Sequence, residues 1–237
     1  MEGYWALARR AAAEGVRAET PAGGALVRWT AGNGPEVWAQ VDPGGDVVGA
    51  TPYLSTSGSF RISVTGSGED PEERMDGWID GWLEPAENDE PYSGVFPLRV
   101  NLVDFALSSR RLTTYPALHT VELIALAHEV DLYDDEAAYR AAPGEVFRLP
   151  VQSFVSTAHS SVDEPAPFAE ATALASGIVR DAALLVNPVT DATFWRIALA
   201  TQGVTLQACI APADAGGPVR RGQILSGGFW LLGRLLD

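Results

Sequence analysis

The chain has no lysine: all 16 of its basic residues are arginine. A phosphate-binding loop that ends in Lys is therefore excluded. With one cysteine, Cys209, the chain can form no internal disulfide and offers no Cys pair for a metal, and a reducing cytoplasm is the compartment this usage suggests. Apolar runs long enough to cross a bilayer, roughly 18–20 residues, are missing. The opening Met-Glu-Gly-Tyr-Trp-Ala lacks a basic segment leading into an apolar stretch, so no secretory signal is expected. There are three histidines, His119, His128 and His159, and none has a second His or Cys four residues on. That spacing gives no zinc site, and His128-Glu129 stands without the rest of a helical metalloprotease motif. Neither a Gly-x-Ser-x-Gly elbow nor a Gly-x-Gly-x-x-Gly loop occurs. The sequence thus assigns no catalytic residue, no cofactor and no metal.

Positive charge is also scarce. The net charge is −15, and it is concentrated in two blocks. Residues 69–90 carry ten acids and one Arg, and residues 122–145 carry seven acids and one Arg. The segment 166–237 is neutral, with five acids and five Arg. Attraction to phosphate dominates nucleic-acid affinity, and no basic groove is visible, so neither nucleic acid nor an anionic membrane is an expected partner. A protein partner or a small-molecule ligand remains.

What the chain does contain is β-strand periodicity. Val204, Leu206, Ala208 and Ile210 alternate with Thr205, Gln207 and Cys209, and Trp195, Ile197 and Leu199 alternate with their neighbours. Gln202-Gly203 between the two runs suits a tight hairpin turn. Upstream, Ile178 to Val186 is apolar and β-branched and ends at Asn187-Pro188. Gly227-Gly228 interrupts the last run, as a bulge glycine would. In order and length this stretch resembles the OB-fold, a five-stranded, partly open barrel. The resemblance is carried by Gly177-Ile178-Val179, Phe194-Trp195, Gly222 and Gly228-Phe229-Trp230. It implies a barrel over residues 166–237 and brings no catalytic motif. Ala213 to Pro218 reads as a loop, without the helix that many such barrels carry after their third strand.

Before the barrel, residues 4–15 read as a short helix stopped by Gly15. Ala25–Trp29, Glu36–Val41, Val47–Tyr53 and Phe60–Thr65 read as strands of an antiparallel meander, with Val95–Phe105 closing the region. Thr120 to Val130 is apolar nearly all round and predicts a buried helix that would make His128 a core residue. Asp134 to Ala142 predicts a second helix, Phe147 to Thr157 a strand, and residues 159–167 a linker. Phe168 to Ser176 fits either helix or strand. The expected architecture is mainly β (α+β). It comprises an N-terminal antiparallel β domain (1–110), a helical connector and linker (111–165) and an OB-like five-stranded barrel (166–237). A faint echo, Gly77-Trp78 against Phe229-Trp230 and Trp38 against Trp195, raises the possibility of a duplicated β unit.

The candidate ligand-binding residues are Asp76, Trp78, Asp80 and Trp82, which a strand would place on one face. Indoles alternating with carboxylates suit stacking on a sugar or holding a cation. The competing account, which is the expected one, makes both indoles core and both Asp solvated, and burial decides between them. Binding or scaffolding is the expected role, and a hydrolase or sugar-active enzyme built on Asp76–Trp82 is the rival. The final strand is apolar on both faces, with Trp230, Leu232 and Leu236 opposite Phe229, Leu231 and Leu235, so it should be covered on both. Packing within the chain is the expected cover.

Overall fold

A computed structural model describes residues 2–32, 34–71, 73, 75–87, 90–143, 148–159 and 170–236. A helix, α1 (Glu2–Glu14), opens the chain and stops at Gly15, where a Cβ would lie 2.7 Å from the Arg28 carbonyl oxygen. Four strands follow as an antiparallel meander: β1 (Val16–Glu19), β2 (Ala25–Thr30), β3 (Pro35–Val41) and β4 (Val47–Leu54). Of these β2 to β4 are expected and β1 is not, and the expected members Phe60–Thr65 and Val95–Phe105 pair in the other sheet instead. Alternate residues of β2 and β3 pack against α1, where Ala11, Val27, Trp29, Ala39 and Val41 form a small core of their own. The helix therefore covers one face of this sheet.

The remaining strands form one nine-stranded mixed sheet. They are β5 (Phe60–Glu69), β6 (Gly77–Leu83), β7 (Pro97–Leu102), β8 (Ala117–Tyr133), β9 (Ser153–Ser156), β10 (Thr172–Val186), β11 (Thr193–Ala200), β12 (Thr205–Ile210) and β13 (Ile224–Leu235). Pairings close this sheet into two rings. One ring runs β5–β6–β7–β13–β8 and back to β5. The other runs β10–β11–β12–β8–β13 and back to β10. Each ring has a single parallel pair, β7 with β13 and β12 with β8. The expected five-stranded barrel is the second ring, but its fifth strand is β8, from upstream of the linker.

The long strands β8 and β13 pair along twelve positions and belong to both rings. On its other edge β8 meets β5 over Ala117–Val121 and β12 over Ile124–Leu126. Likewise β13 meets β10 over Ile224–Trp230 and β7 at Leu232–Gly233. A short helix follows the third strand of each ring: α2 (Phe105–Ser108) after β7 and α4 (Pro212–Ala215) after β12. The chain thus repeats one unit, three antiparallel strands, a short helix and a long strand. In that repeat β6 corresponds to β11 and β8 to β13. The sequence echo paired other segments, Gly77-Trp78 with Phe229-Trp230, and those matches are not equivalent positions.

Two further segments differ from expectation. Thr120–Val130 is not a helix but the middle of β8. A run apolar all round fits a buried helix and equally a strand covered on both sides, and periodicity alone cannot separate the two. Here Val121, Leu123 and Ala125 enter the barrel core, while Ile124 and Leu126 face the four-stranded sheet. On this strand His128 is exposed, not a core residue. Ala213–Pro218 overlaps α4, which has Pro at its first turn and ends on Gly216 at φ 66°, the left-handed position a glycine takes at low cost. The second predicted helix is present as α3 (Glu136–Ala141), with Asp135 capping Ala138 N–H at 2.7 Å. Within 147–157 the described strand is β9. Of the expected linker 159–167, His159 ends a short helical turn (Thr157–His159), whereas residues 160–167 and the start of 168–176 lie outside the described residues, and β10 begins at Thr172. No helix among the described residues is long and apolar enough to cross a membrane.

The final strand has the two-sided cover that its pattern requires. Phe229, Leu231 and Leu235 fill the barrel core, and Leu232 and Trp230 pack with Leu26, Trp38, Tyr53 and Leu54 of the four-stranded sheet. A register shift falls after Gly227-Gly228, as expected of bulge glycines. In β12, Leu206, Ala208 and Ile210 point inward.

Candidate functional site

Strand β6 alternates as its sequence predicts. Gly77, Ile79, Gly81 and Leu83 are buried, and Trp78, Asp80 and Trp82 are half-exposed on the outer face. Small inward residues let neighbouring strands approach, and the large side chains are left outside. The Trp78 indole lies across Gly68 on β5, where a Cβ would fall 2.3 Å from the ring. The Arg99 guanidinium from β7 sits 4.9 Å from the Trp78 ring centroid. Asp80 receives both ends of that guanidinium, Nε and Nη2, at 2.8 Å each. This forked pair holds Asp80 fixed. Trp82 packs edge-on against Tyr92, with ring centroids 6.4 Å apart.

A cleft of about 630 Å³ opens where β7 hands over to β10 along the edge of β13. Its floor is a row across four strands: Trp78 on β6, Asn101 on β7, Trp230 and Leu232 on β13, and Thr172 on β10. Trp230 Nε1 donates to Asn101 Oδ1 at 2.8 Å, which fixes the indole in the floor. One wall is Ala50 and Thr51 of β4. The other is the loop joining β5 to β6, together with His128 and Glu170. The cleft therefore lies between the four-stranded sheet and the outer surface of the double barrel, in a size range that accommodates small ligands.

The β5–β6 loop brings three acids together. Asp70 N–H donates to the Asp76 carbonyl at 2.9 Å, and Asp76 N–H donates to the Glu73 carbonyl at 2.8 Å. Glu73 N–H donates to the Asp70 carboxylate at 3.1 Å. The Asp76 carboxyl accepts from Gln40 Nε2 at 2.5 Å, which ties the loop to β3. Burial pushes the Asp76 carboxyl up to about 7, and its hydrogen bond to Glu73 and the charges of Glu73 and Asp70 push the same way; only the Gln40 bond opposes them. Among the described residues no group of His, Cys, Asp and Glu is arranged to hold a metal ion.

Of the four residues the sequence singles out, the structure brings Asp76 and Trp78 into the cleft and leaves Asp80 and Trp82 outside its lining. Against the expectation of core indoles, neither Trp78 nor Trp82 is fully buried, because the inward face of β6 is taken by Gly77, Ile79, Gly81 and Leu83. The sequence did not point to Trp230, Asn101, Thr172 or Glu170 as partners of Trp78. They come from strands far apart in the chain, and only the ring pairing aligns them. Trp230 did carry a signal, as an aromatic on the strand that needed cover on both faces. No family model, curated protein or solved structure matches the chain.

Proposed function

We propose that this protein is a binding module whose cleft takes a small organic cation, such as a substituted ammonium or guanidinium group. The observation that carries the reading is that two half-exposed indoles, Trp78 and Trp230, share one cleft with Asp70, Glu73, Asp76 and Glu170. The described lining contains no Arg. An indole face attracts a cation by about 0.5–2 kcal/mol, more as water is excluded, and carboxylates at the rim add long-range attraction. Trp78 already stacks on one guanidinium within the chain, that of Arg99, with Asp80 as its counter-ion. That arrangement supports the same chemistry for a ligand. The rival hydrolase built on Asp76 and Asp80 has less support, because Asp80 is committed to Arg99 and lies outside the cleft.

Choline and its uncharged tert-butyl analogue provide the test, followed by tryptophan fluorescence and by calorimetry. Choline should bind at least tenfold more tightly than the neutral analogue. Trp230→Ala should abolish the difference, and Trp82→Ala should leave it intact. Equal binding of the two probes, or an effect of Trp82→Ala equal to that of Trp230→Ala, refutes the reading.

A further inference from the structure

We infer that the ligand of the cleft is amphipathic, with a cationic head at Trp78 and Trp230 and an apolar tail lying on a shelf formed by His128, Leu174 and Val155. This rests on the cation-binding reading above. The shelf is built by strand register. On β10, Thr172 lines the cleft, and Leu174 stands two residues further along the same face. Leu174 is paired with Val155 on β9 to one side and with Gly228 on β13 to the other. Directly opposed residues project from the same side of a sheet, so Val155 and Leu174 stand together, 41 % and 48 % exposed. Gly228 has no side chain to continue the row. The space over it is taken by the His128 imidazole, whose Cε1 lies 2.6 Å from where a Cβ on Gly228 would be. His128 is the residue that the register shift leaves without an opposite number, because Glu129 faces Gly228 and Ala127 faces Phe229. The imidazole also lines the cleft that Trp230 floors. The floor therefore continues from the Trp230 indole over the imidazole to Leu174 and Val155.

Size and position select a ligand's tail, and not a macromolecule, as what covers this shelf. A stable protein interface removes about 800 Å² from each partner, and two aliphatic side chains with one imidazole fall far short of that. The shelf is also within reach of the cleft. Leu174 lies about 6.6 Å along the strand from Thr172, and Val155 about 4.8 Å across from Leu174, so a tail of moderate length leaving a head at Trp230 covers both. Chemistry divides the site in the same way. The cleft lining carries Asp70, Glu73, Asp76 and Glu170, and the three shelf residues include no acid. Leu184, further along β10, is 51 % exposed as well but lies outside the cleft lining, which makes it the natural control.

Tetramethylammonium and octyltrimethylammonium, titrated into the full chain by calorimetry at one fixed pH, test this. A methylene with one side on apolar surface gains about half of what full burial gives, or about twofold in affinity, so about four of them over the shelf give about 16-fold. The octyl compound should therefore bind at least about tenfold more tightly than tetramethylammonium. Leu174→Ser combined with Val155→Ser should cut that gain to about threefold or less and leave the affinity for tetramethylammonium unchanged, whereas Leu184→Ser should keep the whole gain. All three side chains are exposed, so these substitutions open no cavity in the core. Equal binding of the two ammonium compounds, a gain that survives the double variant, or one that Leu184→Ser reduces as much overturns the tail and leaves the cation site standing. A dimer, seen by sedimentation, that the double variant dissociates also overturns it, because the shelf then belongs to a second copy. Binding of 1-octanol as tight as that of octyltrimethylammonium, or binding of neither ammonium compound, defeats the cation reading and this inference with it.

Discussion

Glu122 is the most consequential buried charge in the chain, and removing it tests how the four-stranded sheet is fastened to the barrels. It sits on β8 between the end of the β5 pairing and the start of the β12 pairing, 2 % exposed. Its carboxylate accepts from Arg234 Nη2 at 2.7 Å, from Ser55 Oγ at 3.2 Å and from Thr56 N–H. Tyr53 Oη donates to its backbone carbonyl at 3.1 Å. Arg234 is the cross-strand partner of Glu122 on β13, and its Nε has no hydrogen-bond partner among the described residues. Breaking a buried pair by removing one member leaves an uncompensated charge, at a cost of about 3–5 kcal/mol. The Arg234 side chain keeps 20 % of its exposure, so water recovers part of that and the lower end applies. Glu122→Ala should therefore lose about 3 kcal/mol, and Glu122→Gln, which retains an acceptor for Thr56, about 2 kcal/mol. The paired replacement Glu122→Leu with Arg234→Leu removes both charges and should recover most of the loss. Urea unfolding followed by circular dichroism gives all of these values in one double-mutant cycle. A loss below 1 kcal/mol in Glu122→Ala, or a double variant as unstable as the sum of the singles, would refute the reading of Glu122 and Arg234 as a mutually compensating buried pair.

Further outcomes follow from the same coordinates. Burial raises the Asp104 carboxyl to about 6, with Arg111 opposing, so the folded chain keeps a proton that the unfolded chain loses near pH 4. Stability should accordingly fall as pH rises from about 4 to 6, by up to about 3 kcal/mol from this group; Asp104→Asn should reduce the decline in urea midpoints by that share and leave the part due to Asp76, and an equal decline in wild type and Asp104→Asn would contradict it. Gly227 has φ 151° and an added Cβ would lie 2.0 Å from the Glu129 carbonyl oxygen, so Gly227→Ala should cost at least about 3 kcal/mol, while Gly58→Ala, with open space around it, should be within about 0.5 kcal/mol of wild type in the same melts. A fragment of residues 166–237 lacks β8 and leaves the outer face of β13 bare, so it should be insoluble or molten. A monomeric fragment with its own sharp melting transition would overturn that.

Strand-level structure was legible where one face is wet. The alternation in β11 and β12 identified both their type and their inward residues, because a half-buried strand writes a period of two into its sequence. In β6 it separated the two faces but not which is inward, because Gly77 and Gly81 carry no side chain to mark the core face and the indoles read as core. The two strands shared by the rings write no such period. In β13 the paired apolar faces still pointed to double cover. In β8 the same property mimicked a buried helix, and only the pairing with β13 and β12 resolves it. The site was half legible for a related reason. Asp76 and Trp78 are neighbours in sequence, so their shared face follows from local geometry. Trp230 reaches Trp78 only through β7, and a parallel strand contact leaves no mark in either segment.

The location of the cleft follows from the doubling. Each shared strand changes partners partway along its outer edge, so the double barrel has two such junctions. On β8 the change falls between Val121 and Ile124, and the end of β4 fills it, with Tyr53, Ser55 and Thr56 bonded to Glu122. On β13 the change falls between Trp230 and Leu232, and β4 reaches only its border, with Ala50 and Thr51. The four-stranded sheet thus plugs one of two topologically equivalent junctions and walls the other. The plugged one holds a buried ion pair and serves stability. At the walled one the indoles of Trp78 and Trp230 stay half-exposed beside the acids of the β5–β6 loop. The four-stranded sheet is what makes the two junctions different.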